Sequence, residues 1–199
     1  MHTKSLVTLF KGLFILALIS FFIGLWIPYI GEEGVYTISS YEMWFHKHFL
    51  YPTLYGIPYW RPPLFNWLII FFSNIIGWGH MLVASRFVTA GATIANSILL
   101  IWLGKRLFKT KYFGLFAGLI YLTSDALFYH GWIAYADPLF AFFTASSIAL
   151  LWIANLEQRT ILVWLASLAL IAAFMTKALT RLCFLWIIFY YHCLSAWKT

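Results

Sequence analysis

Residues 13–30 read LFILALISFFIGLWIPYI, an apolar run without a single charge. A stretch of about 20 apolar residues is what a helix needs to cross the hydrocarbon core of a bilayer. There every backbone polar group must find its partner inside the segment. Lys4 and Lys11 precede the run and no acid accompanies them. No small-residue cleavage site of the A-x-A kind follows, so the run reads as a retained anchor and not as a removed signal peptide. Excess positive charge marks cytoplasmic segments, which puts the N-terminus inside and Glu32 outside.

Composition extends this reading to the whole chain. Of its 199 residues 63% are hydrophobic, 22% aromatic and only 10% charged. A soluble domain is about 45–50% apolar and about 25% charged, so these residues cannot cover a water-facing surface. Disorder is excluded by the same figures, because chains that stay unfolded are poor in apolar residues. The expected fold is all-α, a polytopic transmembrane bundle of about six spans. A formal charge of +7, from 13 Lys+Arg against 6 Asp+Glu, would suggest nucleic acid in a soluble protein. Here no basic stripe interleaved with stacking aromatics appears in a polar segment, so nucleic acid is excluded as a partner. Cys183 and Cys193 fall ten residues apart on one predicted helix. At about 1.5 Å per residue that is roughly 15 Å, too far for a disulfide.

The polar stretch 31–63 holds three of the six acids and reads as an outer-face loop. Within it Ser39–His46 is patterned as a short amphipathic interfacial helix, and Pro52, Gly56 and Pro58 then interrupt the chain. The apolar stretch Leu64–Ile76 is short for a span. Read as an interfacial or re-entrant helix over 64–78, it leaves the basic cluster Lys105–Lys111 in the cytoplasm, as the charge rule requires. The expected spans are then 13–30, 87–103, 112–132, 138–154, 161–175 and 182–197, with both termini inside and membrane lipids all round. Asp125, after Ser124, reads as a helix break or cap. Glu32, Glu33, Glu42, Arg61, Asp137 and Lys177 all emerge at one membrane face. In a chain this poor in charge, that grouping suits a site for a polar or anionic group.

The residues around these charges resemble a known family. Glu32-Glu33-Gly34-Val35-Tyr36, Glu42-Met43, Pro52 and Arg61-Pro62-Pro63-Leu64-Phe65-Asn66-Trp67 are similar to the first outer loop of bacterial GT-C glycosyltransferases. Those are the dolichyl-phosphate-mannose protein mannosyltransferase and aminoarabinose (lipid A) transferase relatives. Ala136-Asp137-Pro138-Leu139 resembles the family's second acidic site, and Met175-Thr176-Lys177 its Leu-Thr-Lys-Gly. The resemblance implies an inverting transferase with a polyprenyl-phosphate sugar as donor. Its acceptor would be an outer-face hydroxyl of lipid A, a glycan or a protein. It also implies a site facing the periplasm from the bacterial inner membrane. Carried over, Glu32 is the catalytic base, Glu33 its neighbour at the substrate, and Tyr36 a substrate contact. Arg61 and Lys177 meet the donor phosphate, and Asp137 holds the acceptor or a divalent metal ion. Two departures stand out: the first acid is usually Asp, and Arg61 replaces a Lys.

Family members are usually several hundred residues long, so the resemblance also implies that a separate C-terminal part is absent. The alternatives are a truncated non-catalytic fragment or partner subunit of such an enzyme, or a small membrane transporter or lipid-binding protein. A transporter would show inverted repeats and acids near mid-membrane, and neither is evident. His46 and His48 are two apart and do not share a helix face, which argues against a metal site there.

Overall fold

The computed structural model describes residues 2–109 and 111–177. The expected span 182–197 and both cysteines lie outside the described residues. Among the described residues eight α-helices follow one another: α1 (His2–Ile23), α2 (Glu33–His46), α3 (Leu64–Ile76), α4 (Met81–Phe108), α5 (Lys111–Leu122), α6 (Asp125–His130), α7 (Asp137–Glu157) and α8 (Thr160–Thr176). An antiparallel hairpin, β1 (Thr53–Leu54) and β2 (Ile57–Pro58), lies between α2 and α3.

Helix α4 is the axis of the bundle and packs against α1, α2, α3, α5 and α7. It can do so because small residues replace bulk along it, with Ala84, Ala90 and Ala92 all buried. The approach of α5 is tighter still. A Cβ on Gly114 would stand 2.4 Å from the Ile101 carbonyl oxygen, and one on Gly104 would stand 2.6 Å from the Gly114 Cα. Gly114 and Gly118 are four residues apart and present one glycine seam. Small residues at this spacing let helix backbones close up where lipid offers no hydrophobic drive.

Helices α7 and α8 form an antiparallel pair joined only by Gln158 and Arg159, with Gln158 in the left-handed region at φ 53°. Their Ser147 hydroxyl donates to the Ala166 carbonyl at 2.9 Å. The beginning of α7 and the end of α8 therefore meet at the same end of the bundle. At the other end Arg106 of α4 pairs with Glu157 of α7. The two longest inner helices thus carry the same polarity.

Three described segments are long and apolar enough to cross a membrane: Val7–Trp26, Trp78–Phe108 and Asp137–Glu157. Among the described residues the expected count of about six spans is not confirmed, and two of the expected spans are shorter or broken helices. The expected span 112–132 breaks at Thr123-Ser124, where Ser124 is extended (φ −69°, ψ 143°) and α6 restarts at Asp125. The expected span at 161–175 is a 17-residue helix, roughly 26 Å at about 1.5 Å per residue, against a core of about 30 Å. The segment expected to be interfacial or re-entrant is the 13-residue α3. It starts directly after Pro62-Pro63, which suit a helix start because their missing N–H groups would be unpaired there anyway.

The outer-loop helix is longer than expected and begins at Glu33. It is not a simple interfacial helix, since Tyr36, Thr37, Ser39, Ser40 and Met43 are buried. The Asn66 amide of α3 donates to Ser39 Oγ at 2.8 Å and Ser40 Oγ at 2.9 Å, so a polar seam joins α2 to α3. Glu42 fastens the hairpin to α2. Its carboxylate accepts from Thr53 Oγ1 at 2.6 Å and from the N–H groups of Tyr55 at 2.8 Å and Gly56 at 3.2 Å. Tyr55 and Gly56 both have positive φ, 54° and 77°, as a tight two-residue hairpin turn requires.

Candidate active site

Four chain segments meet at the end of the bundle where α7 begins. Glu32 stands at the N-terminal boundary of α2 and Tyr36 one turn further on. Arg61 lies in the segment that leads into α3. Asp137 is the first residue of α7, and Lys177 directly follows α8. The antiparallel α7–α8 pair sets Lys177 Nζ 2.5 Å from Asp137 Oδ1. Both side chains remain about half exposed.

Tyr36 is the hub of the cluster. Its ring is buried edge-on against Phe65 (5.1 Å between centroids) and near Tyr135 (6.1 Å). Its hydroxyl oxygen accepts a hydrogen bond from Arg61 Nη1. The Arg61 guanidinium also lies over two rings, 5.3 Å from that of Tyr36 and 5.1 Å from that of Tyr59. Burial pushes the Tyr36 phenol up to about 12; Arg61 opposes the shift, while Asp137, Tyr59 and Glu32 add to it. Both acids are therefore close enough for their charge to act on one phenol. The Glu32 N–H donates to Tyr135 Oη at 3.3 Å. The Glu32 side chain is exposed, and its carboxylate has no hydrogen bond or ion pair among the described residues.

Glu33 stands differently from the expectation that it contacts substrate. Its side chain is fully buried and bonded to Arg86 of α4, whose side chain is also fully buried. Arg86 Nε donates to Glu33 Oε1 at 2.8 Å and Nη2 to Oε2 at 2.6 Å. The same carboxylate accepts the Ala134 N–H at 2.8 Å and the Ile30 N–H at 2.8 Å. With its acceptor capacity filled by its own chain, Glu33 is shut away from any surface where substrate could stand. The two neighbouring glutamates part because successive helical residues point about 100° apart at 3.6 residues per turn.

Arg86 is the residue that reading the sequence missed. The available signal was a lone arginine at the start of a long apolar run, since ionisable residues at membrane depth pair up and face the bundle interior.

A cavity of about 510 Å³ opens beside Asp137, between α5, α6 and α7. It is lined mainly by apolar groups, with His130 and Tyr135 as its polar edge. Among the described residues no group of three or more His, Cys, Asp or Glu side chains gathers as a metal cage. Asp137 Oδ1 is engaged by the Lys177 ammonium, which competes with any cation.

The resemblance to GT-C membrane glycosyltransferases is borne out by relatives in sequence and in fold. In sequence the chain is a homologue of the aminoarabinose transferases. It is 30% identical over 164 residues to the undecaprenyl phosphate-alpha-4-amino-4-deoxy-L-arabinose arabinosyl transferase of Pectobacterium atrosepticum, covering 79% of this chain and 28% of that protein. It is also 30% identical over 162 residues to a transferase of the same name (number 2) from Proteus mirabilis, covering 79% and 29%. In fold it matches the crystal structure of ArnT from Cupriavidus metallidurans in the apo state. That match has a TM-score of 0.71 at 19% identity and covers 90% of this chain and 34% of that one. No protein-family model matches the chain. The chain spans less than a third of the length of these curated relatives.

Proposed function

We propose that this chain carries the donor-binding and proton-abstracting part of a sugar transferase using a polyprenyl-phosphate-linked sugar. The observation that carries the reading is the convergence of Glu32, Tyr36, Arg61, Asp137 and Lys177 from four separate segments. An inverting transfer needs a carboxylate to take the acceptor hydroxyl proton as the oxygen attacks the anomeric carbon. Within this cluster Glu32 is the carboxylate that has no hydrogen bond or ion pair among the described residues. As the new C–O bond forms, the bond from the anomeric carbon to the donor phosphate breaks and negative charge grows on the leaving polyprenyl phosphate. Arg61 meets that charge, since Tyr36 engages only one arm of its guanidinium fork and leaves other N–H groups for phosphate oxygens. Lys177 adds a second cation, released from Asp137 as the phosphate arrives. Asp137 is then free to accept a hydrogen bond from the acceptor.

The names of the relatives support a 4-amino-4-deoxy-L-arabinosyl group on undecaprenyl phosphate as donor. A lipid of the outer face, lipid A above all, is the acceptor this reading favours. A membrane-embedded site is needed for such a donor, and the apolar cavity beside Asp137 suits it. We place the site on the periplasmic face of the inner membrane, with the basic residues Lys105, Arg106 and Lys109 at the opposite, cytoplasmic end.

The test is donor binding. Tritiated undecaprenyl phosphate is titrated against the chain in nanodiscs, with Arg61→Ala and Lys177→Met as comparisons. Each substitution should weaken binding by about tenfold or more, in keeping with about 1.5–3 kcal/mol for a hydrogen bond to a charged group. Equal affinity in all three proteins would refute the phosphate assignment.

A further inference from the structure

We propose that the buried Arg86–Glu33 pair is a positioning unit that sets Glu32 against Asp137. The proposal rests on the reading of Glu32 as the base. It concerns two residues that meet neither substrate nor solvent.

The bonds of the pair show what it holds. Arg86 Nη1 donates to the carbonyls of Gly24 (2.8 Å), Leu25 (3.3 Å) and Ile27 (2.6 Å), and Nη2 donates to Pro28 (3.0 Å). All four belong to the segment between α1 and Glu32. Glu33 takes the N–H of Ile30 from the same segment and the N–H of Ala134 from the segment between α6 and Asp137. One ion pair thus cross-links the two connections that end on the two acids. A second set of bonds from the same face of α4 runs along the second connection. Thr93 Oγ1 donates to Gly131 O at 2.7 Å, Thr89 Oγ1 to Tyr135 O at 3.1 Å and Asn96 Nδ2 to Pro138 O at 3.1 Å. Residues 86, 89, 93 and 96 recur at helical spacing, so one stripe of α4 carries the whole segment. Tyr135 in turn accepts the Glu32 N–H and closes the loop between the two acids.

Stability alone does not account for the pair. Replacing a buried ion pair with apolar residues of similar volume is often neutral or stabilising, because two charges no longer have to be desolvated. An apolar pair cannot give six backbone groups fixed partners in a site closed to water. Buried carbonyls and amides without partners move to find them. Beyond a single 3-10 turn at Gly24–Trp26 the segments at 24–30 and 131–136 have few backbone bonds of their own, so their course rests on Arg86, Glu33 and the polar stripe of α4.

The experiment uses the full chain in nanodiscs, in a background with Cys183 and Cys193 replaced by serine. Spin labels are attached at Glu32→Cys and Asp137→Cys, and their separation is read by dipolar EPR. With the pair intact we expect one narrow distance distribution. In Arg86→Met/Glu33→Met, which the isostere argument expects to melt cooperatively, the distribution should broaden or shift. An unchanged distribution overturns the proposal. If the double variant does not melt cooperatively, Arg86→Lys is read by the same criterion. It keeps the charge but lacks the fork that spans Glu33 and the four carbonyls.

Unlabelled Arg86→Lys adds a kinetic readout. The turnover number should fall about 100-fold, as a misplacement of about 1 Å can cause, while the donor KM changes less than about twofold. A change confined to KM overturns the positioning role. Absence of undecaprenyl phosphate binding by the wild-type chain would refute the transferase reading, while the EPR distances would still decide the positioning.

Discussion

Replacing Tyr36 with phenylalanine separates two effects that the structure ties to one oxygen. The ring packing against Phe65 and Tyr135 survives, while the acceptor for Arg61 Nη1 is lost. Near neutral pH the expected cost is small. A hydrogen bond to a charged group contributes about 1.5–3 kcal/mol, and Arg61 is exposed, so water replaces part of it. Alkaline pH reverses the order. The folded phenol titrates at about 12 and the ordinary one at 10.0, chiefly because of burial. Between those values the unfolded chain loses this proton while the folded chain keeps it. The unfolded state then binds fewer protons, and stability falls as pH rises. A shift of this size corresponds to a few kcal/mol, on the order of a kcal/mol per unit. Urea or thermal unfolding in detergent, followed by tryptophan fluorescence at intervals from pH 8 to 12, gives the difference between the two proteins. The other tyrosines titrate in both and largely cancel. We expect the wild-type advantage to shrink above pH 10 and the variant to be the more stable near pH 12. Curves that stay parallel over this window would refute the assignment of a buried, protonated phenol.

Two further predictions concern fold and orientation. Gly114→Ala should destabilise the chain by at least the roughly 1–3 kcal/mol typical of overpacking, because the new methyl meets a backbone carbonyl at 2.4 Å. Gly91→Ala, with nothing within 4 Å, should be neutral or slightly stabilising, which thermal melts of both variants will decide. For orientation, cysteines at Tyr55 and Lys109 are exposed to an impermeant maleimide on intact spheroplasts. Labelling at 55 but not at 109 is expected, and the reverse would overturn the assignment of the site to the outer face.

How far the sequence could be read depended on the kind of interaction involved. The membrane class followed from composition, since no arrangement of these residues makes a soluble surface. That Asp137 and Lys177 emerge at one face followed from order along the chain, since two successive apolar segments joined by a short polar link pack as an antiparallel pair; their ion pair was not legible. The helix restart at Asp125 was visible in Ser124-Asp125, a local cap pattern. Glu32 and Glu33 could not be told apart, because which glutamate turns inward depends on the rotation of α2. That rotation is set by Arg86, 53 residues away along the chain. Arg86 itself lay hidden at the edge of an apolar run, where an arginine resembles a boundary marker. The lengths of the helices α5 and α8 were not legible for a related reason. Hydropathy reports how apolar a segment is, while the break at Thr123-Ser124 and the glycine contact at Gly114 are matters of local conformation and close packing.

The most direct test of the central claim is transfer of labelled aminoarabinose from undecaprenyl phosphate to lipid A, by the wild-type chain and by Glu32→Gln in reconstituted vesicles. General base catalysis typically contributes about 10²–10⁴ in rate. The account predicts that transfer supported by the wild-type chain falls at least about 100-fold in the variant, with affinity for undecaprenyl phosphate retained. Equal transfer by both proteins, or loss of that affinity in the variant, would contradict it.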